Sequence, residues 1–270
     1  MTRTRRAPAP ITVSVGTQTD VGHRRGTNQD ALLARGPVYL VADGMGGHVD
    51  GDYASASVVA TFAALADQRS VSVAELRHTF AQAVSTVAAL PVGGGAGAGT
   101  TLTGVVITEV DHRAHWLVVN IGDSRSYLFR AGALRQITVD HSVVQQQLDR
   151  GELTRAQAAT SPQRNIVTRS IGAGSRTEPD YWLVPAEDGD RFLMCSDGLS
   201  NELSHAHIQL VLRAEPTAQA AANRLVNQAL LYGGRDNVTV VVVDAVAIAA
   251  GPVALGPSPA LMGEAGQGRT

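Results

Sequence analysis

Apolar positions along the chain fall into two kinds of pattern. β-Branched or alternating runs at Val38 to Ala42, Thr101 to Thr108, Ala114 to Ile121, Ser126 to Arg130, Arg191 to Cys195 and Val238 to Val246 predict strands. Helical spacing places Ala218, Ala221, Ala222, Leu225, Val226, Ala229 and Leu230 on one face, with Thr217 as the N-cap and Gly233-Gly234 as the stop. Gly51 to Leu65 and Val73 to Leu90 also read as helices, the first with a stripe of Val58, Phe62 and Leu65, and a third helical region runs from Ser142 to Ala159. Strand runs interrupted by long helical pairs, without regular βαβ alternation, predict an α+β domain in which helices cover antiparallel sheet.

Punctuation sets the limits of this domain. A folded body is expected from Ile11 to Ala249, between a flexible arm (residues 1–10) and a Gly-, Pro- and Ala-rich tail (residues 250–270) expected to be disordered. The 270 residues, 44% hydrophobic, suffice for one large domain or two small ones. The longest apolar run, Val238 to Ala250, is too short to cross a membrane and contains Asp244, so no membrane insertion is expected. The first ten residues are followed by no apolar signal region. A net charge of -2 provides no basic field for nucleic acid. All 22 basic residues are arginines, which excludes lysine Schiff-base chemistry and a P-loop lysine. Cys195 is the sole cysteine, so no intramolecular disulfide can form, and a cytoplasmic, monomeric protein is the expectation.

Four aspartates change the picture. Asp43 in VADGMGGH, Asp123 in NIGDSRSY, Asp197 in MCSDGLSN and Asp236 in GGRDNVTV each stand at the end of a predicted strand beside a turn-forming residue. One such aspartate is ordinarily a turn residue accepting backbone hydrogen bonds. Four gathered at one sheet edge would repel one another unless neutralised, and an all-oxygen set suits Mg²⁺ or Mn²⁺. Upstream, RGTNQD (Arg25 to Asp30) holds a guanidinium whose planar fork can grip phosphate oxygens, although an arginine is ordinarily a surface residue. Cys195 is followed six positions later by Asn201, where a cysteine-dependent phosphatase needs arginine. Gly122-Asp123 lacks the histidine of histidine-rich binuclear phosphatases, and the glycine run Gly93 to Gly99 leads into a strand, not a helix, so it reads as a connector.

In order and content, RGTNQD, DGMGGH, GTTLT (Gly99 to Thr103), GDSR, SDGL and DNVT resemble the metal-dependent protein phosphatase 2C (PPM) family in its bacterial form, over nearly the whole body. The resemblance implies a four-layer α-β-β-α sandwich of two antiparallel sheets flanked by helices. It also implies hydrolysis of phosphoserine and phosphothreonine in proteins, by a water or hydroxide shared between two metal ions, without a phosphoenzyme. On that reading Asp43 bridges both ions, Asp197 and Asp236 complete the first site, and the Gly44 carbonyl helps form the second. Many bacterial members hold a third ion, for which Asp123 would serve with Asp197. Arg25 would clamp the phosphate, Asp30 would orient metal-bound water, and Asn237 would support Asp236.

Two positions depart from eukaryotic relatives. Gln29 stands where many have a glutamate contacting the second ion through water, and Met45 stands where they place a histidine proposed as general acid. His48, three residues later, is the substitute candidate, with water as the alternative proton donor, and its ordinary reading is a solvated loop histidine. The segment from 140 to 174 corresponds to a variable flap beside the active site. The implied partners are phosphoproteins and the serine/threonine kinase whose work is reversed. The competing readings are a phosphatase dedicated to a phosphorylated anti-sigma antagonist, and a pseudophosphatase that binds phosphoproteins without turnover, against which the retained carboxylates argue.

Overall fold

The computed structural model describes residues 9–46, 50–90, 97–174 and 177–249. His48, Gly93 to Gly95 of the glycine run, most of the N-terminal arm and the tail lie outside the described residues. In chain order the strands are β1 (Ile11–Asp20), β2 (Asp30–Arg35), β3 (Val38–Met45), β4 (Gly99–Thr100), β5 (Leu102–Val110), β6 (Arg113–Ile121), β7 (Arg125–Arg130), β8 (Ala133–Gln136), β9 (Ile171–Gly172), β10 (Asp180–Pro185), β11 (Arg191–Cys195) and β12 (Val238–Ile248). The α-helices are α1 (Asp50–Phe62), α2 (Val73–Ala88), α3 (Val143–Asp149), α4 (Arg155–Thr160), α5 (Asp197–Ser200), α6 (His205–Ala214) and α7 (Ala218–Tyr232).

The described strands make two antiparallel sheets. One has the order β1-β12-β11-β7-β8, and the other runs β10-β6-β5-β3-β4-β9 with β2 paired to β3. Strand periodicity assigns the layers. Along β3, Val38, Leu40 and Ala42 pack with Val58 and Phe62 of α1 and with Leu76 and Phe80 of α2. The alternate residues Tyr39 and Val41 face the other sheet, meeting Phe192, Met194, Val241 and Val243. On the far side Leu193, Val240 and Val242 pack against Val211 of α6 and Leu225 and Val226 of α7. Both faces of the central strands are therefore buried, which is why they read as continuous apolar runs and not as alternating ones. This is the four-layer sandwich, with Trp116 and Phe192 in tilted contact, centroids 5.2 Å apart, between the sheets.

Elements that the apolar pattern does not announce sit mainly at the margins. β1, β8 and β10 are sheet edges, and α6 carries only three buried apolar residues, Ile208, Val211 and Leu212. One prediction needs correcting: the single helical region from Ser142 to Ala159 is two short helices. α3 ends at Asp149, and Thr154 opens α4 with a reciprocal capping box to Gln157. The predicted cap of α7 is present, Thr217 Oγ1 accepting from Ala220 N at 3.1 Å. Thr217→Ala is expected to cost about 1 kcal/mol, read as a lowered urea midpoint with an unchanged m-value. Among the described residues no helix is long and apolar enough to cross a membrane.

Candidate active site

Antiparallel register brings the acids to one end of both sheets. Asp30 at the start of β2 pairs directly with Asp43 near the end of β3. The last residue of β11, Cys195, pairs with Val240 near the start of β12, so Asp197 and Asp236 leave the same edge. Val41 of β3 lies beside Thr103 of β5, and Leu102 beside Ile121 of β6, which delivers Asp123 to that edge as well. Side chains from opposite ends of the folded body thus share one cleft end.

Backbone contacts hold each acid in place. The Asp43 N–H donates to Thr101 Oγ1 at 3.1 Å, and its carbonyl accepts from Thr101 N at 2.9 Å and from Thr100 Oγ1 at 2.9 Å. Thr101 Oγ1 also meets Ser124 Oγ at 2.7 Å, tying the GTTLT and GDSR segments together. The Gly44 N–H donates to Gln29 O at 3.1 Å. A Cβ at Gly44 would lie 2.2 Å from the Gly51 carbonyl oxygen, so only glycine permits this approach.

Asp30 Oδ2 accepts from Ser196 Oγ at 2.8 Å. Ser196 Oγ itself accepts from Thr239 N at 2.9 Å, so its single hydrogen is directed to Asp30. Asp30 Oδ1 and Gln29 Nε2 are buried without a protein partner. Asn237 contacts Asp236 through its backbone, while its side chain binds elsewhere. Its Oδ1 accepts from Gln29 N at 2.9 Å, and its Nδ2 donates to Val21 O at 2.9 Å and Thr27 O at 3.0 Å. Only its backbone N–H reaches Asp236, at 2.9 Å to Oδ1. Asn237 therefore pins the RGTNQD segment to the DNVT loop. Arg25 is exposed at the mouth and donates from Nη2 to Asp236 Oδ2 at 2.7 Å.

Electrostatics follow from this crowding. Asp30, Asp43 and Asp197 are partly exposed as residues, but their carboxyl groups lie deep among protein atoms. Burial pushes the Asp43 carboxyl far above the ordinary range, and Asp30, Asp197, Asp123 and Asp236 push it further. Asp123 is raised by burial, then by Asp197 and Asp140. Asp197 is raised by burial, then by Asp236, while contacts with Asp43 and Asn201 oppose the shift. Such a set binds cations or protons. Among the described residues no three of these acids close into one chelating group. They suit ions that take one or two carboxylates each and keep several waters, as Mg²⁺ does, and the buried, unpartnered Asp30 oxygen fits a water of that kind. The residues present fit divalent cations.

Sequence reasoning missed several supports. Asn201 Nδ2 donates to Asp197 Oδ2 at 3.0 Å, one helical turn on. His141 is buried behind the GDSR turn, where its Nδ1 lies 3.2 Å from the Gly122 N–H and its Nε2 lies 2.9 Å from Asp180 Oδ2. An N–H only donates, so Nδ1 must accept and Nε2 carries the proton to Asp180. Burial lowers the His141 pKa, consistent with a neutral ring. The one available signal was proximity in sequence: Ser196, Asn201 and Thr101 adjoin motif aspartates or lie within the GTTLT motif. His141 carried none.

Three comparisons with known proteins bear on this site. The family description Protein phosphatase 2C matches residues 22–231. The serine/threonine protein phosphatase PstP of Mycobacterium tuberculosis is 38% identical over 249 residues, covering 89% of this chain, which spans only 46% of that relative's length. The serine/threonine phosphatase stp of Listeria innocua is 33% identical over 84% of this chain and 94% of its own. The crystal structure of the PstP catalytic domain in complex with two manganese ions superposes with a TM-score of 0.75 at 36% identity, covering 87% of this chain and 100% of that one.

Proposed function

This chain belongs to the protein phosphatase 2C family, and from that premise we propose that it hydrolyses phosphoserine and phosphothreonine in proteins, reversing serine/threonine kinases. The observation that carries the reading is the convergence of Asp43, Asp197, Asp236, Asp123 and Asp30 at one end of the two sheets, where burial and mutual repulsion raise the carboxyls of Asp30, Asp43, Asp123 and Asp197. Asp43, Asp197, Asp236 and the Gly44 carbonyl would hold two ions, Mn²⁺ or Mg²⁺, and Asp123 with Asp197 a third. When bound, such ions lower the pKa of the attacking water and neutralise charge on the phosphoryl oxygens.

The chain's own groups do the rest. Asp30, fixed through Oδ2 by Ser196, presents its free Oδ1 to accept a hydrogen from water and so orient it toward phosphorus. Arg25 stands at the mouth on Asp236 and needs only a side-chain rotation to offer its fork to phosphate oxygens. Direct attack by water needs no protein nucleophile, and Cys195, buried with its thiol pushed up to about 12, is no candidate for one. The leaving group would take its proton from His48 or from water.

The test is release of nitrophenol from p-nitrophenyl phosphate and of phosphate from a phosphothreonine peptide, with Mn²⁺ and with excess chelator. Turnover of both substrates with Mn²⁺, lost on chelation, is expected. Tight binding of the phosphopeptide without turnover would instead identify a pseudophosphatase.

A further inference from the structure

A cleft of about 650 Å³ is lined by Asp123 and Asp197 and by Arg155 and Arg164 of the 140–174 segment. Its charges are unequally committed. Asp123 and Asp197 belong to the acid cluster, and Arg125, which also lines the cleft, is held by Asp140 through bonds of 2.6 to 3.0 Å and by Tyr127. Elsewhere on the same segment Arg150 pairs with Glu152 and Arg169 with Asp180. Arg155 and Arg164 are exposed, and among the described residues neither side chain has an ion-pair or hydrogen-bond partner. The two uncommitted arginines of the segment are thus the two that face the cleft. Val144, Leu148 and Ala158 add apolar lining to the same cleft.

We propose that Arg155 and Arg164 form a specificity subsite for an acidic side chain, carboxylate or second phosphate, close in sequence to the phosphorylated residue of the substrate. The inference rests on the phosphatase reading and names the class of peptide it prefers. With the phosphate at the acid end, a compact volume of this size admits about three residues of extended chain at roughly 3.3 Å each. The neighbouring side chain then reaches the two cleft arginines that have no partner among the described residues, while the apolar lining takes aliphatic stems. Guanidinium forks match carboxylate and phosphate geometry. Each partly exposed pair contributes about twofold to fivefold, so the two together set a preference on the order of tenfold.

The experiment uses the full chain with Mn²⁺ and two phosphothreonine peptides that differ only in carrying glutamates or lysines within three positions of the phosphate. In the unaltered chain kcat/KM is expected to favour the acidic peptide about tenfold at low salt, and the ratio to fall toward one at ~0.5 M NaCl. In the Arg155→Glu, Arg164→Glu double variant the preference is expected to invert. Should that variant fail to fold by circular dichroism, Arg155→Gln with Arg164→Gln is expected to bring the ratio near one. Hydrolysis of p-nitrophenyl phosphate is followed in parallel. Its absence would remove the phosphatase reading and this inference together. Its presence, with equal use of the two peptides or with a preference untouched by both variants, would overturn the subsite alone.

Discussion

Asp43→Asn is expected to lower Mn²⁺-stimulated turnover of p-nitrophenyl phosphate on the order of 10³-fold, the scale on which loss of a positioned charge acts in a catalytic site. Asp43 is the acid on which the cluster's repulsion centres: its register partner is Asp30, its neighbour Asp197, and its pKa is raised by four carboxylates. The same substitution is expected to leave the chain folded, and in chelator at pH 7.5 to make it more stable than the unaltered chain. The reason is the sign of the linkage. A carboxyl whose folded pKa lies above its unfolded value binds more protons in the folded state, so stability falls as pH rises through the interval between the two values.

For Asp30 that interval runs from about 4, the unfolded value, to about 7, where burial foremost places the folded carboxyl. Asp43, Asp123 and Asp197 act in the same direction. His141 works against it, because its lowered folded pKa makes protonation costly below its ordinary range. Urea midpoints of the chelated chain should therefore be higher near pH 6 than at pH 7.5, and Mn²⁺ should flatten the difference. A chelated Asp43→Asn chain that unfolds at lower urea than the unaltered one at pH 7.5 would contradict the account of the cluster as a store of repulsion.

Gly198→Ala should damage fold and site together. A Cβ at Gly198 would sit 2.0 Å from the Asn237 carbonyl oxygen and 3.0 Å from its carbon. Neither is the far end of a flexible side chain, so the SDGL turn and the DNVT loop must separate. Asn237 is also the residue whose amide binds Val21, Thr27 and Gln29, and the displacement therefore passes to the segment that carries Arg25 and Asp30. Overpacking of a well-packed site typically costs about 1–3 kcal/mol, and against backbone the upper end, about 3 kcal/mol, is expected. The urea midpoint should drop by more than about 1 M for an m-value near 2 kcal/mol/M. Mn²⁺-dependent turnover should fall by at least about tenfold even in the fraction that remains folded. Unchanged midpoint and turnover would show that the two loops are not locked at this point.

The central strands were legible because both of their faces are buried: Val238 to Val246 and Arg191 to Cys195 carry apolar residues at successive positions, and runs so short favour strand over helix. β1, with Thr, Ser and Gly among its ten residues, and β10, whose Leu183 is exposed, have one side at a sheet edge or at solvent, so their patterns stay weak. The break between α3 and α4 escaped because a capping box at Thr154 and Gln157 outweighs the helix formers around it.

For the site, the linear order singled out the candidates for the chemistry: aspartates placed beside turn residues at strand ends, an arginine fork upstream, and no lysine to offer another route. Only the tertiary structure decided which of them meet and what commits them. Asp30 faces Asp43 because of antiparallel pairing, Arg25 rests on Asp236, Asn237 clasps the opposite loop, and Arg155 and Arg164 are left uncommitted over the cleft. A hydrogen bond or a raised pKa depends on separation in space and on the exclusion of water, and a chain's order specifies neither until packing has set both.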